Sequence, residues 1–202
     1  VGTDDLNAFT TAQFEPLGTA QLGALRSDQF AALESADLRV LTSSQVRALD
    51  ANDLGGLNSA DVYALTSAQL AALTSAQIAG LGTDDLAGLR VTSMPGLSTA
   101  QVAGLGTDQL AALSSEQLQA LSTLQVRGLS TRQIASLGTE DLNTLTTAQF
   151  QAMSTQQIAA LGPEQVSKLE TADLAALTTA QMRALQTRQL VALDSTDLAA
   201  LS

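Results

Sequence analysis

A large apolar residue stands at every eighth position, from Val1, Phe9, Leu17 and Leu25 through to Leu193 and Leu201, and no insertion or deletion shifts that register. Of the 26 anchors 23 are Leu, the exceptions being Val1, Phe9 and Met153. A second apolar residue follows five positions after each anchor (Leu6, Phe14, Ile78, Met94, Val126, Leu198) in all 25 octads. A fixed short period is the mark of a repeat array, in which units bury a continuous core by stacking on one another.

The spacing rules out one long helix. Apolar steps of five and three residues would carry the stripe around a 3.6-residue helix by about 80° per octad, so the helix must restart in every unit. The restart signals are present. Thr, Ser, Gly, Asp50, Asn58 or Asp194 follows the anchor, where an N-cap sits, and Gln or Asp comes three residues after that, at capping-box spacing. The latter site holds Gln in 16 octads, Asp in eight and Ser93 in one; the two main residues share a side-chain oxygen, so the site is read as an acceptor for a free N–H at each helix start. Pro163 falls on the first helical position, where its missing N–H costs least, whereas Pro16 and Pro95 fall late in their octads.

A β-solenoid also arises from short periods, but the chain lacks strand alternation and favours Ala, Leu and Gln over β-branched residues. Ala-Asp-Leu triplets such as Ala36-Asp37-Leu38 and Ala172-Asp173-Leu174 occur in pentapeptide-repeat proteins, whose period is five rather than eight. The expected fold is therefore all-α, an elongated right- or left-handed solenoid of about 25 short capped helices. Helices of about six residues are unstable alone, so stacking must hold them. Two helices per layer are expected, with the small residue before each anchor (Ala24, Ala72, Gly80, Gly104, Ala192) letting backbones approach. Residues 1–202 read as a single continuous array and as a segment of a longer protein, since the array starts and stops in mid-pattern.

Composition narrows function mainly by exclusion. With no Cys and no His, disulfides, thiolate and imidazole chemistry and the usual zinc sites are absent. The net charge of −11 argues against nucleic acid or an anionic membrane as partner, and no apolar run is long enough for membrane insertion. Seven carboxylates precede the Gln/Asp site (Asp4, Asp28, Asp84, Asp108, Glu116, Glu140, Glu164) and eight occupy it, so 15 of 20 lie in a first helical turn, where the helix dipole favours them. Arg39, Arg47, Arg127 and Arg183 fall near the opposite end.

Chemistry-bearing clusters are sparse. The acidic pairs Asp4-Asp5, Asp84-Asp85 and Glu140-Asp141 could be read as calcium ligands or an acid/base couple, but no calcium-loop spacing surrounds them and neighbours on a short helix diverge. The Ser/Thr rows could in principle meet ice or glycans, yet capping already employs those hydroxyls. Tyr63, Leu124 and Val191 fall on outward variable positions. One octad, Arg90-Val91-Thr92-Ser93-Met94-Pro95-Gly96, loses the hydroxyl and the Gln/Asp while keeping its length; Ala51-Asn52-Asp53 is a milder lapse with Asp50 as cap. No catalytic, cofactor-binding or metal-binding residue is assigned, no cofactor is expected, and the protein is not expected to be an enzyme.

The strings Leu73-Thr-Ser-Ala-Gln-Ile-Ala-Gly-Leu81, Leu145-Thr-Thr-Ala-Gln-Phe-Gln-Ala-Met153 and Leu177-Thr-Thr-Ala-Gln-Met-Arg-Ala-Leu185 resemble octapeptide arrays of large bacterial surface or secreted proteins, often labelled adhesion-related or haem-utilisation exoproteins. The resemblance covers the whole chain. It implies an extracellular or cell-surface scaffold or spacer with adhesive contacts, whose partners are other segments of the parent protein and protein or cell-surface ligands. Haem is a poor match, because no His or Cys is present to ligate iron. The alternative is a peptide- or protein-binding α-solenoid that uses the variable positions.

Overall fold

The computed structural model describes Gly2, Leu6 and residues 8–201. Among these residues there are 23 short α-helices and one 3-10 helix, one in each octad from Phe9 onward, and no strand. Val1, Asp4 and Asp5 lie outside the described residues.

The α-helical octads fold alike, as Ser130–Leu137 illustrates. Ser130 is extended (φ −70°, ψ 157°), the helix Thr131–Ser136 follows, and the anchor Leu137 is extended again (φ −63°, ψ 139°). Two extended residues, anchor and N-cap, thus turn each corner. No described residue has positive φ, so the corners demand no glycine. At caps such as Ser154 and Asp50 the side chain accepts a free N–H of the first turn: Ser154 Oγ from Gln157 N at 3.1 Å, and Asp50 Oδ1 from Asn52 N at 2.8 Å. Replacing Ser154 by Ala is expected to cost about 1 kcal/mol in a denaturant melt. Gly caps such as Gly106 and Gly162 have no hydroxyl to offer, but their own N–H groups still donate to the glutamine oxygens of Gln109 and Gln165.

The chain forms two compact units, Val1–Leu105 and Gly106–Ser202. Within each, a helix packs on the third helix after it, as from Thr11 to Ser35, 24 residues on. Each layer therefore holds three helices rather than the two expected. The reason lies in the corners: short helices joined by two extended residues close a coil only after three turns of direction. Anchor and second apolar residues fill the interior, with Phe14, Phe30 and Phe150 among the largest fully buried side chains. The pattern relaxes at Phe9, 37% exposed, and at Leu190 and Leu198, 40% and 49% exposed, so these three positions depart from the expected burial.

Small residues before the anchor allow close approach. A Cβ added to Gly88 would sit 2.5 Å from the Ser59 carbonyl oxygen, and one on Gly80 would sit 2.8 Å from that of Ala51. Gly88→Ala should lower stability by about 1–3 kcal/mol, because backbone must shift. A higher thermal midpoint, from Ala's better helix propensity, would show that the contact yields freely.

The irregular octad keeps its place in the core, with Met94 fully buried and Leu97 4% exposed. Its backbone is 3-10 rather than α over Val91–Gly96, which contains Pro95. That proline has no N–H to give to an i→i−4 bond.

Candidate functional site: the glutamine ladder and the outward positions

The Gln/Asp position is the chemical centre of every octad. As expected, its oxygen accepts: Gln77 Oε1 takes the Thr74 N–H at 2.8 Å, and Gln157 Oε1 takes the Ser154 N–H at 2.7 Å. The sequence reading missed the other half of the amide. Gln157 Nε2 donates to the carbonyls of Val126 (2.9 Å), Arg127 (3.4 Å) and Leu129 (2.8 Å), which lie 31, 30 and 28 residues earlier on the preceding coil. Gln45, Gln69, Gln77, Gln149, Gln165 and Gln181 bond in the same way. These carbonyls belong to helix ends, where backbone acceptors lack partners, so one buried amide caps its own helix and the end of another. The twofold preference for Gln over Asp was the available signal, since only the amide can donate.

Asp at this position must find another arrangement. Asp53 and Asp61 accept hydroxyl protons across the stack, from Ser27 (3.0 Å) and Ser35 (2.7 Å). Ser93 and Ser67 share a hydroxyl–hydroxyl hydrogen bond across the stack, at 3.1 Å. Burial, reinforced by Glu34, raises the Asp37 carboxyl above the usual range; burial also raises Asp85, with Asp84 and Asp61 adding repulsion against the lowering effect of the Gly82 N–H.

The acidic pairs Asp84-Asp85 and Glu140-Asp141 take part in the helix starts. Asp85 Oδ2 and Asp141 Oδ2 accept the N–H groups of Gly82 and Gly138, while Asp84 and Glu140 stand in the same first turns. Among the described residues no group of three or more His, Cys, Asp or Glu could hold a metal ion, and no helix is long and apolar enough to cross a membrane. Arg39, Arg47, Arg127 and Arg183 do lie in last helical turns.

Tyr63, Leu124 and Val191 are exposed, at 57%, 68% and 80%. Tyr63 lies beneath the Arg90 guanidinium, 4.4 Å from its ring centroid, a cation–π contact in the first unit. The Arg90 Nε there is buried without a hydrogen-bond partner. In the second unit a surface hollow of about 450 Å³ is lined by Leu124, Arg127, Gln151, Met153 and Gln181 among others.

The model of the ALTTAQ repeat matches the chain in nine overlapping stretches, residues 2–34, 30–67, 48–83, 57–91, 78–115, 94–123, 111–140, 134–171 and 166–202. The chain belongs to the ALTTAQ-repeat family. Ala176-Leu177-Thr178-Thr179-Ala180-Gln181 spells the motif outright. In structural terms its six letters are the residue before the anchor, the anchor, the N-cap, the first two helical residues and the amide that joins coil to coil. No curated protein matches the chain. The ALTTAQ motif is thus a description of how one coil is fastened to the last.

Proposed function

We propose that this ALTTAQ-repeat chain is a structural scaffold, a spacer within an exported bacterial cell-surface protein, and that it has no enzymatic activity of its own. What supports this reading is the direction in which its polar chemistry is spent: the buried amides are turned inward on backbone, from Gln45 to Gln189. The outward positions carry mostly short side chains such as Ala76, Ala100, Ala148 and Ala172. A scaffold of this kind yields coil by coil under load, because neighbour contacts supply most of its stability. Pulling single molecules should release chain in similar steps of about 24 residues, or about 80 Å of contour; a single all-or-none release of a whole unit would count against the reading.

Adhesive contacts, or a peptide-binding role, would draw on Tyr63 with Arg90 in the first unit and on Leu124 with Arg127 in the second. Aromatic and Arg side chains dominate binding hot spots, which is the observation favouring this second reading. Exchanging Tyr63, Leu124 and Val191 together for Ala should leave the thermal midpoint within about 1 °C and the parent's attachment to surfaces intact if the chain is a passive spacer. Loss of attachment without loss of stability would favour binding.

A further inference from the structure

The surface hollow of the second unit, about 450 Å³, has the volume of a small-ligand site. Arg127 and Gln151, which line it, hold the same octad position, 24 residues apart, on the packed helices Thr123–Gly128 and Thr147–Ala152. Leu124, 68% exposed, lies on the same helix face as Arg127 at a spacing of three residues. The polar groups gathered there are uncommitted. Among the described residues the Arg127 guanidinium has no hydrogen bond or ion pair; only its backbone carbonyl is engaged across the stack, by Gln157. Gln151 likewise gives only its carbonyl, to Gln181, and the hydroxyls of Thr123 and Thr155 are unbonded. Both threonines stand one residue after the caps Ser122 and Ser154, so capping does not employ them.

The chain has a net charge of −11, yet no carboxylate lines this hollow. The four helices that form it, Thr123–Gly128, Thr147–Ala152, Thr155–Ala160 and Thr179–Ala184, hold Arg127 and Arg183 and no acid. Thr131–Ser136, packed on Thr155–Ala160, adds Arg132. Glu116, Glu140, Asp141 and Glu164 stand on a different stack, that of Ser115–Gln119, Thr139–Thr144 and Pro163–Ser167. Glu170 and Asp173 belong to the helix that follows Thr147–Ala152 in its stack, and neither reaches the lining. The hollow is thus a patch of positive sign on an acidic protein, and such a patch draws anions.

We propose that this hollow binds an acidic sugar, a hexuronic acid residue of a glycan; the proposal rests on the adhesive reading above and gives it a ligand. The carboxylate pairs with the Arg127 guanidinium in a charge-assisted hydrogen bond. Ring hydroxyls donate and accept, and so do the hydroxyls of Thr123 and Thr155 and the amide of Gln151, so each finds a complement whichever way it points. The apolar C–H edge of the ring meets Leu124. An acidic peptide is the poorer match, because extended peptides gain affinity by pairing with free main-chain groups. The corner N–H groups of Ser154 and Thr178, on the wall of the hollow, already donate to Gln157 and Gln181.

The test titrates the isotopically labelled full chain with glucuronate, with glucose as its uncharged counterpart and a short polyglutamate peptide as the competing acid, and follows amide and methyl resonances. Saturable shifts confined to the hollow are expected with glucuronate, with a Kd on the order of 1 mM for so small a ligand. Glucose and the peptide should each bind ~10-fold more weakly. Arg127→Gln, at an exposed residue, should keep the thermal midpoint and weaken glucuronate ~10-fold, and Gln151→Ala should weaken it ~3-fold. Arg47→Gln, at the same octad position in the first unit, should change nothing. Absence of a saturable shift with glucuronate overturns the proposal, as does equal binding of glucose, undiminished binding by Arg127→Gln, or tighter binding of the peptide, which would make the hollow a peptide site. The attachment assay above tests adhesion separately, so a negative titration removes the ligand and leaves both the adhesive and the spacer readings to their own experiments.

Discussion

Gln157→Glu is expected to lower the unfolding free energy by about 3–5 kcal/mol at pH 7, the usual cost of stranding a buried charge. The substitution preserves length and the oxygen that accepts the Ser154 N–H, and it removes only the two N–H donors. In their place a carboxylate would face the carbonyl oxygens of Val126 and Leu129, at a site 1% exposed. The outcome therefore isolates donation from capping. Acidification should return part of the loss, since the neutral carboxyl again has a donor, so the melt at pH 5 should show a smaller deficit than at pH 7. Gln13 is the internal control: it is exposed and only its oxygen is bonded, to Thr10, so Gln13→Glu should change stability by less than about 0.5 kcal/mol. Equal effects at the two positions would mean that the amide ladder contributes nothing.

Phe150→Ala should cost a further ~3–5 kcal/mol by the separate route of cavity formation. Phe150 is fully buried, and its carbonyl receives Gln181 Nε2 at 2.7 Å, so the void would open beside a joint between coils. In an array stabilised by neighbours, such damage stays local before it becomes global. Hydrogen exchange should accordingly show first loss of protection in Thr147–Ala152 and in the helices packed on it, Thr123–Gly128 and Thr171–Ala176. A uniform loss over the whole second unit would show that its coils open together.

The octad, its helix, its cap and its two buried residues were legible because each depends on residues within eight positions of one another. Asp50 capping Asn52, Pro163 opening its helix and Met94 holding the core of the irregular octad all follow from local rules. Three helices per layer was not legible, since the direction change at a corner is set by the backbone of anchor and cap, both extended, and no side chain announces it. The glutamine's second role escaped for a related reason. Its oxygen bonds three residues away, within the span of a motif, whereas its nitrogen bonds 28 to 31 residues away, beyond the neighbouring octads. The outward positions stay hard to interpret because no constellation spans them: Tyr63 and Arg90 meet only through a contact across 27 residues, in octads with otherwise unrelated sequences.

The two extended residues at each corner have an evolutionary corollary. Every L-amino acid can adopt that backbone, and the buried glutamine amides, from Gln45 to Gln189, find carbonyls that the preceding coil presents in the same place. Copying or losing one octad therefore needs no new joint: the inserted unit inherits partners on both sides, and everything downstream simply moves round by one corner. Recombination within such a gene can lengthen or trim the protein without passing through a misfolded ancestor, and what it reshuffles are the outward residues that neighbouring coils bring side by side.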